Sequence, residues 1–292
     1  MTVSRRGLLA SSAAAGLGLA AGGGAAAQRR TPRARLRLSS QEGVIPGNSL
    51  AEKLDRMERW GFEGLEVWGG GLAGRATDLK ETLRGRSVKI SAICAGFEGA
   101  LISHDAAERQ KAVRSTREIL TAAGDLGALG MVVVPAFNGQ TTLGHVEARK
   151  VLIDQLPALG EHAKSCGTRV LLEPLNRGEA WFLRQLADAA AICRDARNEG
   201  VCMMGDFYHM FIEEPNDLGA FLSGRDYLHH VHLASRRRVL PGQDERDFRE
   251  GFRALKMIGY QGFCSLECGC DGDRETEIPK SVRFLRDQWA KA

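Results

Sequence analysis

Four short stretches of this 292-residue sequence carry, at or near the end of an apolar run, a side chain able to hold a metal. They are "LLEP", "MMGDFYHM", "HHVHLAS" and "CSLECG", and they place Glu173, Asp206, His232 and Glu267. A lone strand-end carboxylate is most often a helix N-cap or an ion-pair partner. A lone histidine in an apolar run is most often a satisfied core residue. Four such endings in succession are much harder to explain that way. Three carboxylates gathered out of water drive one another to protonate unless a cation neutralises them. Three carboxylates and one imidazole suit a fairly hard divalent ion, Mn²⁺ first, with Mg²⁺, Co²⁺ and Zn²⁺ also compatible. Such a centre leaves positions open for two substrate oxygens.

These residues form one site only if the fold carries all four strand ends to one rim. Past residue 30 the chain alternates two textures. Apolar or β-branched runs fall at 36–40, 64–68, 88–95, 130–135, 168–173, 201–206, 228–234 and 262–267. Charged amphipathic segments lie between them, such as "LAEKLDRMERW", where Leu50, Leu54 and Met57 share one helical stripe. Gly61, Gly127, Gly167 and Gly259 stand where helices need a C-terminal cap. Eight strands alternating with helices predict a parallel (β/α)₈ barrel over residues 33–290, whose strand C-termini build the site. The competing open, doubly wound sheet lacks a GxGxxG after its first strand.

Residues 1–27 read as something other than the barrel. "SRRGLL" precedes an Ala/Gly/Leu-rich stretch that ends in Ala25-Ala26-Ala27, the pattern of a cleaved twin-arginine export signal. Alanine and glycine supply too little transfer free energy for a membrane anchor. The expectation is a periplasmic protein with no stable membrane association after export. Removing that segment removes Arg5 and Arg6 and no acid, so the formal charge falls from +4 to +2. A nearly neutral surface gives no case for a nucleic-acid partner. The partner expected is a small sugar, with homo-oligomer formation left open. Seven cysteines are an odd number without framework spacing, and Cys268-Gly-Cys270 lacks the second pair a zinc knuckle needs.

"EPLNRGE", "GDFYHM", "HVHLASRRRVLPGQ" and "SLECG", in this order and spacing, resemble the xylose isomerase-like TIM-barrel superfamily. Within it they are most similar to the ketose 3-epimerase and hydroxypyruvate isomerase-like branch of the sugar phosphate isomerase/epimerase proteins. The likeness is strong in the second half and only architectural in the first. It implies that Glu173, Asp206, His232 and Glu267 are metal ligands and that Glu173 and Glu267 are also the acid/base pair. It implies substrate contacts from Glu179, His209 and Arg238, with Arg236 and Arg237 as competitors for the last role.

The chemistry follows from the residues. A hydrogen beside a ketone is far too weakly acidic for a bare carboxylate, unless the negative charge of the enediolate develops against a cation. Proton return with inversion is epimerisation, and return to the neighbouring carbon is aldose–ketose isomerisation. Loss of a β-leaving group makes the enzyme a lyase, for which 3-keto-glycosides are suitable substrates. The absence of a glycine-rich phosphate loop favours an unphosphorylated keto-sugar. An endonuclease-like metal hydrolase would need histidines from the early strand ends, which offer none. A noncatalytic sugar-binding protein would have lost one of the two glutamates.

Overall fold

The structure is a computed structural model and describes residues 33–292. In chain order its elements are β1 (Arg37–Gln41), α1 (Leu50–Trp60), β2 (Gly64–Trp68), α2 (Leu72–Leu83), β3 (Lys89–Cys94) and α3 (Ala106–Asp125). Then come β4 (Met131–Val133), α4 (His145–Ser165), β5 (Val170–Leu172), α5 (Leu186–Ala196) and β6 (Val201–Asp206). The chain ends with α6 (Phe207–Glu213), α7 (Asp217–Gly224), β7 (Leu228–Leu233), α8 (Arg249–Met257), β8 (Phe263–Leu266) and α9 (Arg274–Lys291).

The eight strands pair in parallel in chain order, and β8 returns to β1 to close the barrel. Each predicted strand is present: β2 and β6 span the predicted runs, β1 lies one residue later, and the other five are shorter by one to three residues where the backbone leaves the ladder. The predicted Thr168–Glu173 run, for example, pairs only over Val170–Leu172. Local chemistry explains the helix bounds. Ser49 caps α1 by accepting from the Glu52 amide, Leu54 and Met57 bury its inner stripe, and Gly61 ends it at φ 82°. That left-handed conformation is open to glycine at little cost.

The main core lies between the helices and the outer faces of the strands, where residues such as Leu54, Leu152, Phe221 and Leu255 are fully buried. Side chains alternate along each strand, so every second residue points into the barrel. Ala92, Leu171 and Cys202 form a separate small apolar cluster, and Ser39 and Ser91 are joined Oγ to Oγ at 2.6 Å. Two residues further along the strands, the same alternation delivers Gln41, Glu66, Cys94, Glu173, His232 and Glu267. The barrel is therefore apolar or neutral in its lower layers and strongly polar at its C-terminal rim.

Candidate active site

Glu173, Asp206, His232 and Glu267 converge, each offering one ligand atom within 4.8 Å of the others. His232 Nδ1 lies at the centre, 3.2 Å from Glu267 Oε2, 3.4 Å from Glu173 Oε1 and 3.8 Å from Asp206 Oδ2. Asp206 performs two jobs at once. Its Oδ1 caps α6 by accepting from the Tyr208 amide at 2.6 Å, while Oδ2 faces the cluster.

Glu173 Oε1, Asp206 Oδ2 and His232 Nδ1 are buried, and none has a hydrogen-bond partner among the described residues. An unmet buried polar atom is costly. Three from three different strand ends, aimed at one point, fit a divalent cation.

A second group, Glu66, His230 and His232, also has metal-competent spacing. Its facing atoms are already satisfied. Glu66 Oε2 lies 2.8 Å from His230 Nε2, and Glu66 Oε1 lies 3.0 Å from His232 Nε2. Glu66 therefore reads as the carboxylate that orients a ligand histidine. It engages Nε2–H of His232 and leaves the Nδ1 lone pair for the cluster.

Electrostatics express the same crowding. Burial opposes the charged imidazolium of His232, but Glu66 and Glu267 outweigh it and raise its pKa well above the usual histidine value. Burial likewise opposes the charge on Asp206 and on Glu66. Around Asp206, His232 and His209 reverse that effect, and around Glu66 the two β7 histidines do so, holding both carboxyls below their ordinary range. Glu173 goes the other way: burial raises it, and His232 only partly compensates.

The predicted substrate-contact residues surround this cluster. Arg238 donates from Nη1 to Glu179 and from Nη2 to Glu267, both at 3.0 Å. It holds φ 55°, a left-handed conformation that is strained for a non-glycine residue. Its two neighbours are engaged elsewhere, Arg237 with Asp271 at 2.6 Å and Arg236 over the Phe211 ring. His209 Nδ1 accepts from the Asn176 backbone amide at 3.2 Å, which places the proton of the neutral ring on Nε2. That Nε2 is buried and without a hydrogen-bond partner among the described residues, 3.7 Å from Asp206 Oδ2.

The loop after β5 is organised by Asn176 and Arg177. Asn176 donates to Glu179 Oε1 at 2.9 Å and accepts from the Gly178 amide at 2.8 Å. Arg177 gives its backbone amide and its guanidinium to Glu213 of α6 at 2.7 to 3.1 Å.

The first half of the chain supplies what the motifs did not name. Gln41 Nε2 donates to Glu267 Oε1 at 2.7 Å and to Glu66 Oε1 at 3.1 Å. Cys94 sits beside both, its thiol pushed well up by burial and by the Glu66 and Glu267 charges. Trp68, Phe97 and Phe137 line a cavity of about 250 Å³ together with Glu173, Glu179, Arg238 and Glu267. His230-Val-His232 was a usable signal, since two histidines two apart on a strand share one face.

The described barrel and its rim agree with a family model, the xylose isomerase-like TIM barrel, which matches residues 54–288. The chain belongs to that family. Among its members, a 3-dehydro-D-guloside 4-epimerase of Escherichia coli K12 is 31% identical over 241 residues, covering 80% of this chain and 92% of that one. An L-ribulose 3-epimerase of Mesorhizobium japonicum is 28% identical over 229 residues, covering 76% and 73%. The solved apo structure of a 3-keto-D-glucoside 4-epimerase from Escherichia coli superposes with a TM-score of 0.81 at 29% identity, covering 87% of this chain and all of that one. A D-psicose 3-epimerase structure from Clostridium cellulolyticum, 19% identical with a TM-score of 0.79, shares the family fold over 87% of this chain and 99% of that one.

Proposed function

We propose that this family member is a divalent-metal-dependent sugar epimerase, acting at the carbon next to the carbonyl of an unphosphorylated keto-sugar. The observation that carries the reading is the pair Glu173 and Glu267. They reach the same histidine from β5 and β8, with β6 and β7 between them, in a cluster that retains three unmet buried ligand atoms. Glu173, Asp206, His232 and Glu267 would hold the ion, and Mn²⁺ suits that donor set best. Once bound, a divalent ion stabilises the negative charge that develops on a carbonyl oxygen as the neighbouring C–H is lost.

The remaining chemistry belongs to the protein. Glu173 would hold the ion through Oε1, which faces the cluster, and its second carboxylate oxygen is the one that takes the proton from the carbon. Glu267, reaching the substrate from another strand, returns a proton to the opposite face and inverts the centre. Its orientation is set by Gln41 on one oxygen and Arg238 on the other. His209 Nε2–H offers a donor to a substrate hydroxyl, and Glu179 offers an acceptor while tied to Arg238. Trp68 and Phe137, both substantially exposed at the cavity, suit the C–H faces of a sugar.

The names of the relatives support this regiochemistry, since C4 of a 3-keto sugar is a carbon adjacent to the carbonyl. The basic loop after β7 supports an unphosphorylated substrate, because Arg237 and Arg238 are already paired with Asp271, Glu179 and Glu267. The export signal falls outside the described residues. Its support is the twin-arginine sequence alone, and with it we propose a periplasmic location. Fusion of residues 1–32 to a reporter, in cells with and without the twin-arginine pathway, tests that part.

The activity is tested by incubating metal-loaded protein with keto-sugars and 3-keto-glycosides in D₂O, read by NMR and mass spectrometry. Deuterium at one carbon with inversion is the expected result. A moved carbonyl would make the enzyme an isomerase, and release of the aglycone a lyase. No exchange with any member of the panel overturns the reading.

A further inference from the structure

A second cavity of about 360 Å³ opens beside the one just described, lined by Gln41, Glu42, Lys53 and Val67 from the β1–β2 side. The two share Trp68, Cys94 and Glu267 in their walls. A group attached to a ring bound at Glu173 and Glu267 could therefore continue past Glu267 into this space. The inner cavity alone, about 250 Å³, lies below the ~300–1,000 Å³ usual for small-ligand sites, and the outer one lies within it.

We propose that the outer cavity is a subsite for a second, uncharged sugar unit, joined glycosidically to the keto-ring that reacts. The proposal rests on the epimerase reading and adds where the rest of the substrate lies and what it is.

The lining decides the chemical class. Glu42, Glu66 and Glu267 bring three carboxylates to the cavity and Lys53 brings one ammonium. Glu42 occupies Lys53 at 3.7 Å and the neighbouring Arg75 at 2.7 Å, so little cationic charge is left for a phosphate or carboxylate. An anionic substituent would meet net repulsion. An apolar aglycone would strip water from the loosely paired Glu42 and Lys53 and from the Gln41 amide without replacing those hydrogen bonds, at a cost. A sugar ring satisfies both constraints. Its hydroxyls can pair with Glu42, Lys53 and Gln41, and its C–H face can cover Trp68.

Trp68 is the independent pointer to a ligand. It ends β2 with 57% of its surface exposed, whereas the preceding residue Val67 is buried. A large indole left bare at the junction of two cavities is apolar surface that packing does not use, and such surface commonly marks a binding site. Cation pairing does not account for it either, since no cation lies over its ring among the described residues, while Trp60 and Trp289 each carry one.

The test compares 3-keto-glucose with a disaccharide carrying the same 3-keto group on its non-reducing ring, using the metal-loaded full chain. The expected result is a kcat/KM for the disaccharide about tenfold or more above that for the monosaccharide, the equivalent of one charge-assisted hydrogen bond. Trp68→Ala and Lys53→Met should each raise KM for the disaccharide severalfold more than for the monosaccharide. Trp68→Ala removes an exposed side chain and leaves no buried cavity, so it keeps the test valid if Lys53→Met misfolds. A readout independent of turnover is indole emission, which the disaccharide should change in the unaltered protein and leave nearly unchanged in Trp68→Phe. Deuterium exchange with equal kcat/KM for the two sugars overturns the subsite alone. No exchange with either sugar overturns the epimerase reading and the subsite with it.

Discussion

Gln41 and Glu267 lie 226 residues apart in the chain and are joined by a 2.7 Å hydrogen bond across the closure of the barrel. The same amide nitrogen donates to Glu66 at 3.1 Å, and Glu66 in turn holds His232. One side chain from β1 thus couples the aim of a candidate acid/base group to the aim of a candidate ligand. Gln41→Leu keeps the volume and removes the donor. It should lower the epimerisation rate about 10–100-fold, the usual scale for groups that orient a metal site. Because Glu173 does not touch Gln41, deuterium incorporation from the epimer deprotonated by Glu173 should fall less than formation of the inverted product. Equal losses in both would count against a positioning role.

Glu66 makes a prediction that needs no substrate. If it fixes the tautomer of His232, then Glu66→Gln weakens divalent-ion binding about 10–100-fold, read by calorimetric titration of metal-free protein with Mn²⁺. If instead Glu66, His230 and His232 were themselves the ion site, His230→Gln would abolish binding while Asp206→Asn would spare it. The unmet atoms on Glu173, Asp206 and His232 lead to the opposite ranking.

Much of this was legible in the sequence, for identifiable reasons. A barrel strand that ends on a charged residue advertises a rim position, so Glu173, Asp206, His232 and Glu267 stood out against the apolar runs before them. Gln41 did not, because an amide after "RLSS" carries no charge and its strand shows no hydrophobic contrast. Glu66 was visible, but "GLEVW" gives no sign that its carboxylate meets two histidines 164 and 166 residues later. That contact exists only because β8 closes on β1 and the interior is shared. The choice of Arg238 over its two neighbours also needed the structure, since it depends on a left-handed turn at φ 55° that composition does not announce.

The loop carrying Glu179 is held from outside the site. Glu213, almost fully buried on α6, receives the Arg177 guanidinium and backbone amide. Burial opposes its charge, but the Arg177 side chain and amide outweigh it and hold the carboxyl below its ordinary value. A folded-state pKa below the unfolded one gives stability that is present above the ordinary carboxylate range and lost as pH falls through the folded value. Glu213→Gln should therefore cost about 1–2 kcal/mol at neutral pH, discounted because Arg177 is largely exposed. Urea unfolding at pH 7 and at pH 4 should show the gap between variant and parent narrowing on the acid side. A gap that stays constant or widens as pH falls would assign the effect to packing rather than to the ion pair.

Glu173 and Glu267 are not equivalent, and their difference predicts a directional experiment. Glu267 has a donor on each oxygen, Gln41 on Oε1 and Arg238 on Oε2, whereas Glu173 Oε1 has none among the described residues. If each carboxylate serves one face of the substrate, Glu173→Gln should block deuterium incorporation starting from one epimer, and Glu267→Gln should block it starting from the other. Each loss should be about 10²–10⁴-fold, the range for removing a positioned general base. Both residues also belong to the candidate ion cluster, so bound metal per chain must be measured by elemental analysis on the same samples. Loss of exchange from both epimers in step with lost metal would reduce the pair to ligands. Opposite epimer preferences at equal metal content would establish the two-base arrangement, with the better-held Glu267 retaining its alignment even when Glu173 is neutral.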